Sequence, residues 1–271
     1  MSRPPIVRAS RRLIGRDGER AGTRALPEET PIAFTYAKDT YAVMMATPAD
    51  LADFAVGFSL TEGIVAAPSQ IEELEIVELE QGIELRMTLE PGRDAALLSR
   101  RRRIAGPAGC GLCGIESLEA ATRTPPQIAS HFRIDAGEIF RAMAALREHQ
   151  SINAETKGVH AAGFWSDGAI VAVREDVGRH NALDKLIGAL AHAGIAALAG
   201  MIVLTSRISI ELVQKAATVG APVLAAVSVP TAFAVRAAEA AGMTLCAIAR
   251  DDSFEVFTHH ERIGSHAHVD G

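Results

Sequence analysis

Three times between residues 181 and 249, a segment of helical period is followed by a short apolar run. The spacing predicts helices over 181–192, 210–219 and 232–241, and strands over 201–205, 223–227 and 244–249. Strands joined through helices run parallel and need helices over their faces. The chain is therefore expected to be an α/β protein with a mostly parallel sheet covered by helices. Upstream, Asp135 and Glu138 form a capping-box start for a helix ending near Arg147. Residues 159–165 and 169–173 read as a hairpin around Ser166-Asp167-Gly168. This main domain is assigned residues 115–264.

Residues 28–104 carry a different pattern and are read as a smaller N-terminal α+β domain. Segments 32–35 and 41–45 flank a Lys38-Asp39 turn. Thr47 before Pro48 is a helix-start signal, and Leu51, Phe54, Ala55 and Phe58 fall on one stripe, with Gly63 as the stop. Strands are predicted over 75–79 and 83–89, the second alternating strictly. Residues 1–27 are polar and basic and read as a disordered tail, as do 265–271. Ala9-Ser10-Arg11-Arg12-Leu13 lacks the apolar segment that an export signal needs. Residues 105–114 form a glycine-rich loop holding two cysteines. No internal repeat is visible.

Composition excludes some functions. Hydrophobic residues make up 48%, but no run reaches membrane-spanning length. A formal charge of −6 argues against general nucleic-acid binding. Three cysteines, two of them close together in a Cys-x-x-Cys, do not make a secreted disulfide framework, and point to the cytoplasm.

Ligands of open parallel sheets bind beyond the carboxyl ends of the strands, where helix N-termini offer free N–H groups. Three such points carry polar clusters: Arg174 to Asn181, Ser206 to Ser209, and Ser228 to Thr231. Together their glycine, hydroxyls, arginines and helix starts suit an anionic ligand, and for each one taken singly ordinary helix capping is the competing reading. The run of Arg174, Glu175, Asp176, Arg179, His180 and Asn181 exceeds what capping needs and predicts a site for an anionic, phosphate-bearing ligand.

Cys110 and Cys113 have several readings. A zinc site lacks two further soft ligands, since Cys246 sits in an apolar strand and reads as core. A zinc deaminase would need a His-x-Glu before the cysteines, and His160 lies after them without one. A thioredoxin-type motif sits at a strand-to-helix turn rather than in a long loop. Gly109-x-Gly111-x-x-Gly114 follows arginines, not a strand, and fails as a dinucleotide fingerprint. Sulfane-sulfur transfer uses both thiols, one accepting sulfur and the other displacing it. Arg100 to Arg103 could favour the thiolate, dock an acidic partner, or form a solvated helix face. His160 divides evenly between site and structure; His259 and His260 read alone as surface residues, and His266 and His268 as tail.

These residues resemble the formate dehydrogenase accessory sulfurtransferase family from about Glu29 to Ile263. The resemblance rests on the stretches from Arg174 to Lys185, from Phe54 to Ile64, and from Ser206 to Lys215, and on Cys110-Gly-Leu-Cys113-Gly and Phe254-Glu-Val-Phe-Thr-His259. It implies a cytidine deaminase-like main domain without zinc, and a homodimer. It further implies a sulfurtransferase that takes persulfide sulfur from a cysteine desulfurase. The sulfur would pass to the molybdenum bis(molybdopterin guanine dinucleotide) cofactor of formate dehydrogenase. Cys110 would carry the persulfide with Cys113 as its partner, and Phe254, Glu255, Val256, Phe257, Thr258 and His259 would bind the cofactor. Arg174, Arg179, Ser206 and Arg207 are then expected to face the diphosphates, with His180, Asn181 and Ser228 beside them. Relatives commonly have hydroxyl residues just before the first cysteine, where this chain has Pro107-Ala108-Gly109. Two other readings are a cofactor-binding chaperone without sulfur transfer, which would tolerate Cys110→Ala, and a dithiol oxidoreductase.

Overall fold

A computed structural model describes residues 3–92 and 124–264 of the chain. Cys110, Cys113, the arginines 100–103, the 105–114 loop, His266 and His268 lie outside the described residues.

The alternating segments near the N-terminus form the expected hairpin. β3 (Thr30–Tyr36) and β4 (Asp39–Ala46) are antiparallel, and Ala37 and Lys38 turn the chain at positive φ. β6 (Ile83–Leu89) lies parallel to β3, and β5 (Ile71–Glu78) antiparallel to β6, giving the order β4-β3-β6-β5. Helix α1 (Leu51–Thr61) buries Phe54, Ala55 and Phe58 on one face of this sheet, with Phe34 stacked 4.0 Å from Phe58. Each buried phenylalanine contributes about 1.5–3 kcal/mol.

The helix begins at Leu51 rather than at Thr47-Pro48 because Thr47 is occupied elsewhere. Its N–H donates to Asp176, its hydroxyl accepts from the N–H of Val177, and its carbonyl accepts from Lys185.

Residues 6–27 depart from the expected tail. β1 (Ile6–Gly15) and β2 (Gly18–Pro27) pair antiparallel along their whole length, closing at Gly15 opposite Gly18. The polar composition that suggested disorder reflects solvent on both faces of this two-stranded ladder.

The larger unit opens with a two-residue strand, β7 (Ile134–Asp135), paired with β14 (Ile263–Gly264). Helices α2 (Ala136–Glu148) and α3 (Ser151–Thr156) follow, Asp135 capping the first through the N–H of Gly137. Six strands make the main sheet: β8 (His160–Ser166), β9 (Ala169–Asp176), β10 (Met201–Leu204), β11 (Val223–Ala226), β12 (Thr244–Ala247) and β13 (Glu255–Thr258). Their order is β13-β12-β11-β10-β8-β9. Helices α4 (Arg179–His192), α5 (Ile210–Thr218) and α6 (Ala232–Ala241) pack on one face and α2 on the other.

The α/β architecture is the expected one, but the sheet is mixed. Parallel pairing is confined to β10, β11 and β12. β8 meets both β9 and β10 antiparallel, and β13 meets β12 antiparallel. Strands joined through α5 and α6 are parallel, whereas β8–β9 and β12–β13 are joined without a helix and can reverse. Among the described residues no helix is long and apolar enough to cross a membrane.

The two units meet where α1 crosses α4. A Cβ on Gly57 would lie 1.7 Å from the Asp184 carbonyl oxygen, and one on Gly188 1.9 Å from that of Asp53. Two glycines thus let the helix backbones touch. Lys215, buried beneath them, donates to Asp184, Thr61 and Glu62. Lys185 pairs with Asp176 at 2.7 Å with neither side chain exposed.

Candidate functional site

β9 and β10 both run antiparallel to β8, and β10, β11 and β12 run parallel. The carboxyl ends of β9, β10, β11 and β12 therefore open on one edge of the sheet, together with the start of β8 at His160. Glu255 at the start of β13 pairs with Ala247 and reaches the same edge. The segments leaving these strands stay ordered against one another. The N–H of Thr231 donates to Ile208, and the N–H of Ile248 to Ser228.

At this edge the first turn of α4 presents Arg179 and His180. Nε2 of His180 lies 3.3 Å from the hydroxyl of Ser209 and 3.8 Å from Glu211. The neighbouring His180 ring is the main reason why Glu211 is held down at about 2, with the Ser209 hydroxyl adding to it. Burial lowers the pKa of the half-buried His160, and the nearby Arg179 and His180 lower it further. His160 thus belongs with this cluster. Nε of Arg179 is buried with no hydrogen-bond partner among the described residues. Leaving such a donor unsatisfied costs about 1–3 kcal/mol. Arg207 is exposed on the loop after β10, and Ser228 is half-buried on the loop after β11.

Other residues expected at the site have partners inside the protein. Arg174 donates to Asp53 at 2.7 Å and to its neighbour's carbonyl, tying β9 to α1. Asn181 is buried and donates to the Met45 carbonyl and to Asp176. Ser206 is buried, its hydroxyl donating to the carbonyl of Arg207. Glu175 accepts from the N–H groups of Ile152 and Asn153 and the hydroxyl of Ser151, capping α3.

The 254–259 segment is spread over an edge strand. Phe254 packs on Phe140, and Glu255 is exposed at the strand-end side. Val256 faces the core and Phe257 is exposed. Thr258 is buried, its hydroxyl accepting from Leu245 and donating to Met243. His259, at positive φ, lies at the far end of β13 beside the Glu239 carbonyl and Glu261. Cys246 is a free, fully buried core residue, its thiol pushed up to about 12 by burial.

Glu211 was not among the expected site residues. Its place is set by the packing of α5 against α4, and no spacing along the chain links it to His180. Its one local signal is its position in the first turn of a helix beside the polar run from Ser206 to Ser209.

The family model described as the FdhD/NarQ family matches residues 27–264. The chain is 52% identical to the sulfur carrier protein FdhD of Agrobacterium fabrum over 264 residues, covering 95% of this chain and 97% of that protein. It is 50% identical to the protein of the same name from Brucella abortus over 248 residues, covering 91% and 92%. A solved structure, described as a formate dehydrogenase accessory protein of Desulfotalea psychrophila, superposes with a TM-score of 0.75 at 23% identity. That match covers 96% of this chain and all of the other.

Proposed function

Because this chain belongs to the FdhD/NarQ family, we propose that it is a sulfur carrier in the maturation of formate dehydrogenase, loading on Cys110 and delivering to the molybdenum bis(molybdopterin guanine dinucleotide) cofactor as its substrate. The observation that carries this reading is the match, over nearly the whole chain, to relatives named as sulfur carrier proteins. The chain's own Cys110-Gly-Leu-Cys113 pair supplies the thiols.

Loading transfers a sulfane sulfur from a desulfurase persulfide to the Cys110 thiolate. Delivery needs the second thiol. The Cys113 thiolate attacks the inner sulfur, the Cys110–Cys113 disulfide forms, and the terminal sulfur leaves as sulfide with the bonding pair. A cellular thiol then reduces the disulfide. The exposed Arg207, the unpartnered buried Nε of Arg179, the His180 ring and the Ser228 hydroxyl would hold the cofactor's diphosphates. They stand at the strand-end edge, where open α/β sheets bind their ligands.

The test is intact-protein mass spectrometry after incubation with a cysteine desulfurase and cysteine, beside Cys110→Ala. A mass gain of about 32 Da, the atomic mass of one sulfur, lost on reduction and absent from the variant, is expected. No gain while the desulfurase turns over would overturn the carrier reading. Guanosine diphosphate binding retained in that case would favour a cofactor chaperone.

A further inference from the structure

The β1–β2 hairpin, nearly all of it before the residues matched by the family model, is unlike the rest of the molecule. From Ser10 to Arg24 every residue on both faces is exposed, including Leu13 at 47% and Ile14 at 80%. A two-stranded ladder is marginal in water unless something covers it. Among the described residues its ties to the body lie near its root, where Ala25 is buried and Arg24 donates to the Thr156 carbonyl.

The charge is as unusual as the exposure. Residues 6–27 hold six arginines against Asp17 and Glu19, a net +4 in a chain of formal charge −6, so the remainder carries −10. Across the ladder Arg8 faces Ala25, Arg11 faces Gly22, Arg12 faces Ala21 and Arg24 faces Ala9. Small partners opposite arginines leave these cations displayed rather than neutralised. Among the described residues Arg12 alone of these reaches a carboxylate, Glu19, at the surface.

The complement lies on the same molecule. β5 is an edge strand of the four-stranded sheet, so one side of its backbone has no ladder partner among the described residues. Residues 71–80 carry five glutamates and no basic residue, with Ile76 43% and Leu79 45% exposed among them. The hairpin root adjoins the end of this edge, where Arg3 donates to the carbonyls of Leu79 and Glu80. Donor and acceptor on one side of one chain make a self-complementary patch, as a two-fold dimer requires.

We propose that the hairpin is an exchange arm. In a two-fold dimer each copy lays its basic β1–β2 ladder along the acidic β5 edge of the second copy, extending that sheet by strand addition. β2 touches its own body through Ala25 and Arg24, so β1 is the strand free to pair. Leu13 and Ile14 then cover Ile76 and Leu79, and the edge is closed against other chains. This inference does not depend on the sulfur chemistry.

Charge reversal tests it in the full-length chain, by sedimentation velocity at low and high salt. One variant carries Arg8→Glu, Arg11→Glu and Arg12→Glu; the other carries Glu72→Lys, Glu73→Lys and Glu80→Lys. All six side chains are exposed, so both variants should fold. Wild type should be a dimer that weakens with salt. Each variant alone should dissociate at least about a hundredfold more readily, because displayed pairs become like charges. An equimolar mixture should dimerise again, since both exchanged contacts then join opposite charges. A monomeric wild type, a variant that dimerises as wild type does, or a mixture that stays monomeric overturns the proposal.

Discussion

Arg174 and Arg207 both stand near the strand ends, yet their surroundings give opposite consequences for removal. Arg174 is bound to Asp53, which also takes His192 at 2.8 Å. Arg174→Ala should therefore cost stability, about 1–2 kcal/mol in urea unfolding, and leave guanosine diphosphate affinity near wild type. Arg207→Ala should leave the unfolding midpoint unmoved and weaken that affinity by roughly 1.5–3 kcal/mol, one or more charge-assisted bonds. Calorimetric titration beside urea melts distinguishes the two, and exchanged phenotypes would refute this assignment. Glu211 yields a pH prediction. Its carboxyl sits at about 2 against an ordinary 4.5, so its contribution is complete above 4.5 and is lost as pH falls towards 2. Urea midpoints measured between pH 5 and pH 2.5 should fall less steeply in Glu211→Gln than in wild type. Equal slopes would mean that the His180 contact does not hold the carboxyl down.

At the scale of elements, the α1–α4 crossing explains why so many polar and glycine residues cluster in two short stretches. Gly57 and Gly188 are where the two helix backbones touch, and Asp184, Lys185 and Lys215 are the buried charges the crossing encloses. Gly57→Ala or Gly188→Ala should destabilise by about 3 kcal/mol, because the obstacle is backbone that no rotamer change can move. Thermal unfolding would measure the loss, and an unchanged midpoint would mean that the helices can separate at little cost. The helices and central strands were legible in the chain because their apolar period is set by the core they bury. β1 and β2 were not, since solvent on both sides removes the alternation that marks a strand. The start of α1 was misplaced because a capping signal at Thr47 is indistinguishable, along the chain, from a threonine held by Asp176 in another unit.

In the whole molecule, the polar run from Arg174 to Asn181 serves two ends at once. Arg174, Asp176 and Asn181 lock the small unit onto the main sheet and Glu175 caps α3, while Arg179 and His180 look out over the strand ends. A sequence shows the density of such a run but not the direction of each side chain. Of the side chains on which the expected anion site drew, Arg174 and Asn181 are bound within the protein, while Arg179 and His180 stand at the strand ends. The division has a functional consequence. In the proposed function sulfur loading falls to Cys110, and cofactor binding to Arg179 and Arg207, side chains of α4 and of the loop after β10. The two activities should therefore separate. Arg179→Ala combined with Arg207→Ala should lower guanosine diphosphate affinity by about 3–6 kcal/mol, two charge-assisted contacts, yet gain sulfur from the desulfurase at the wild-type rate. Cys110→Ala should bind the nucleotide normally and gain none. Calorimetry and mass spectrometry on the same preparations read both quantities. Loss of loading in the arginine variant would mean that the desulfurase docks on the cofactor edge, and would merge the two sites into one.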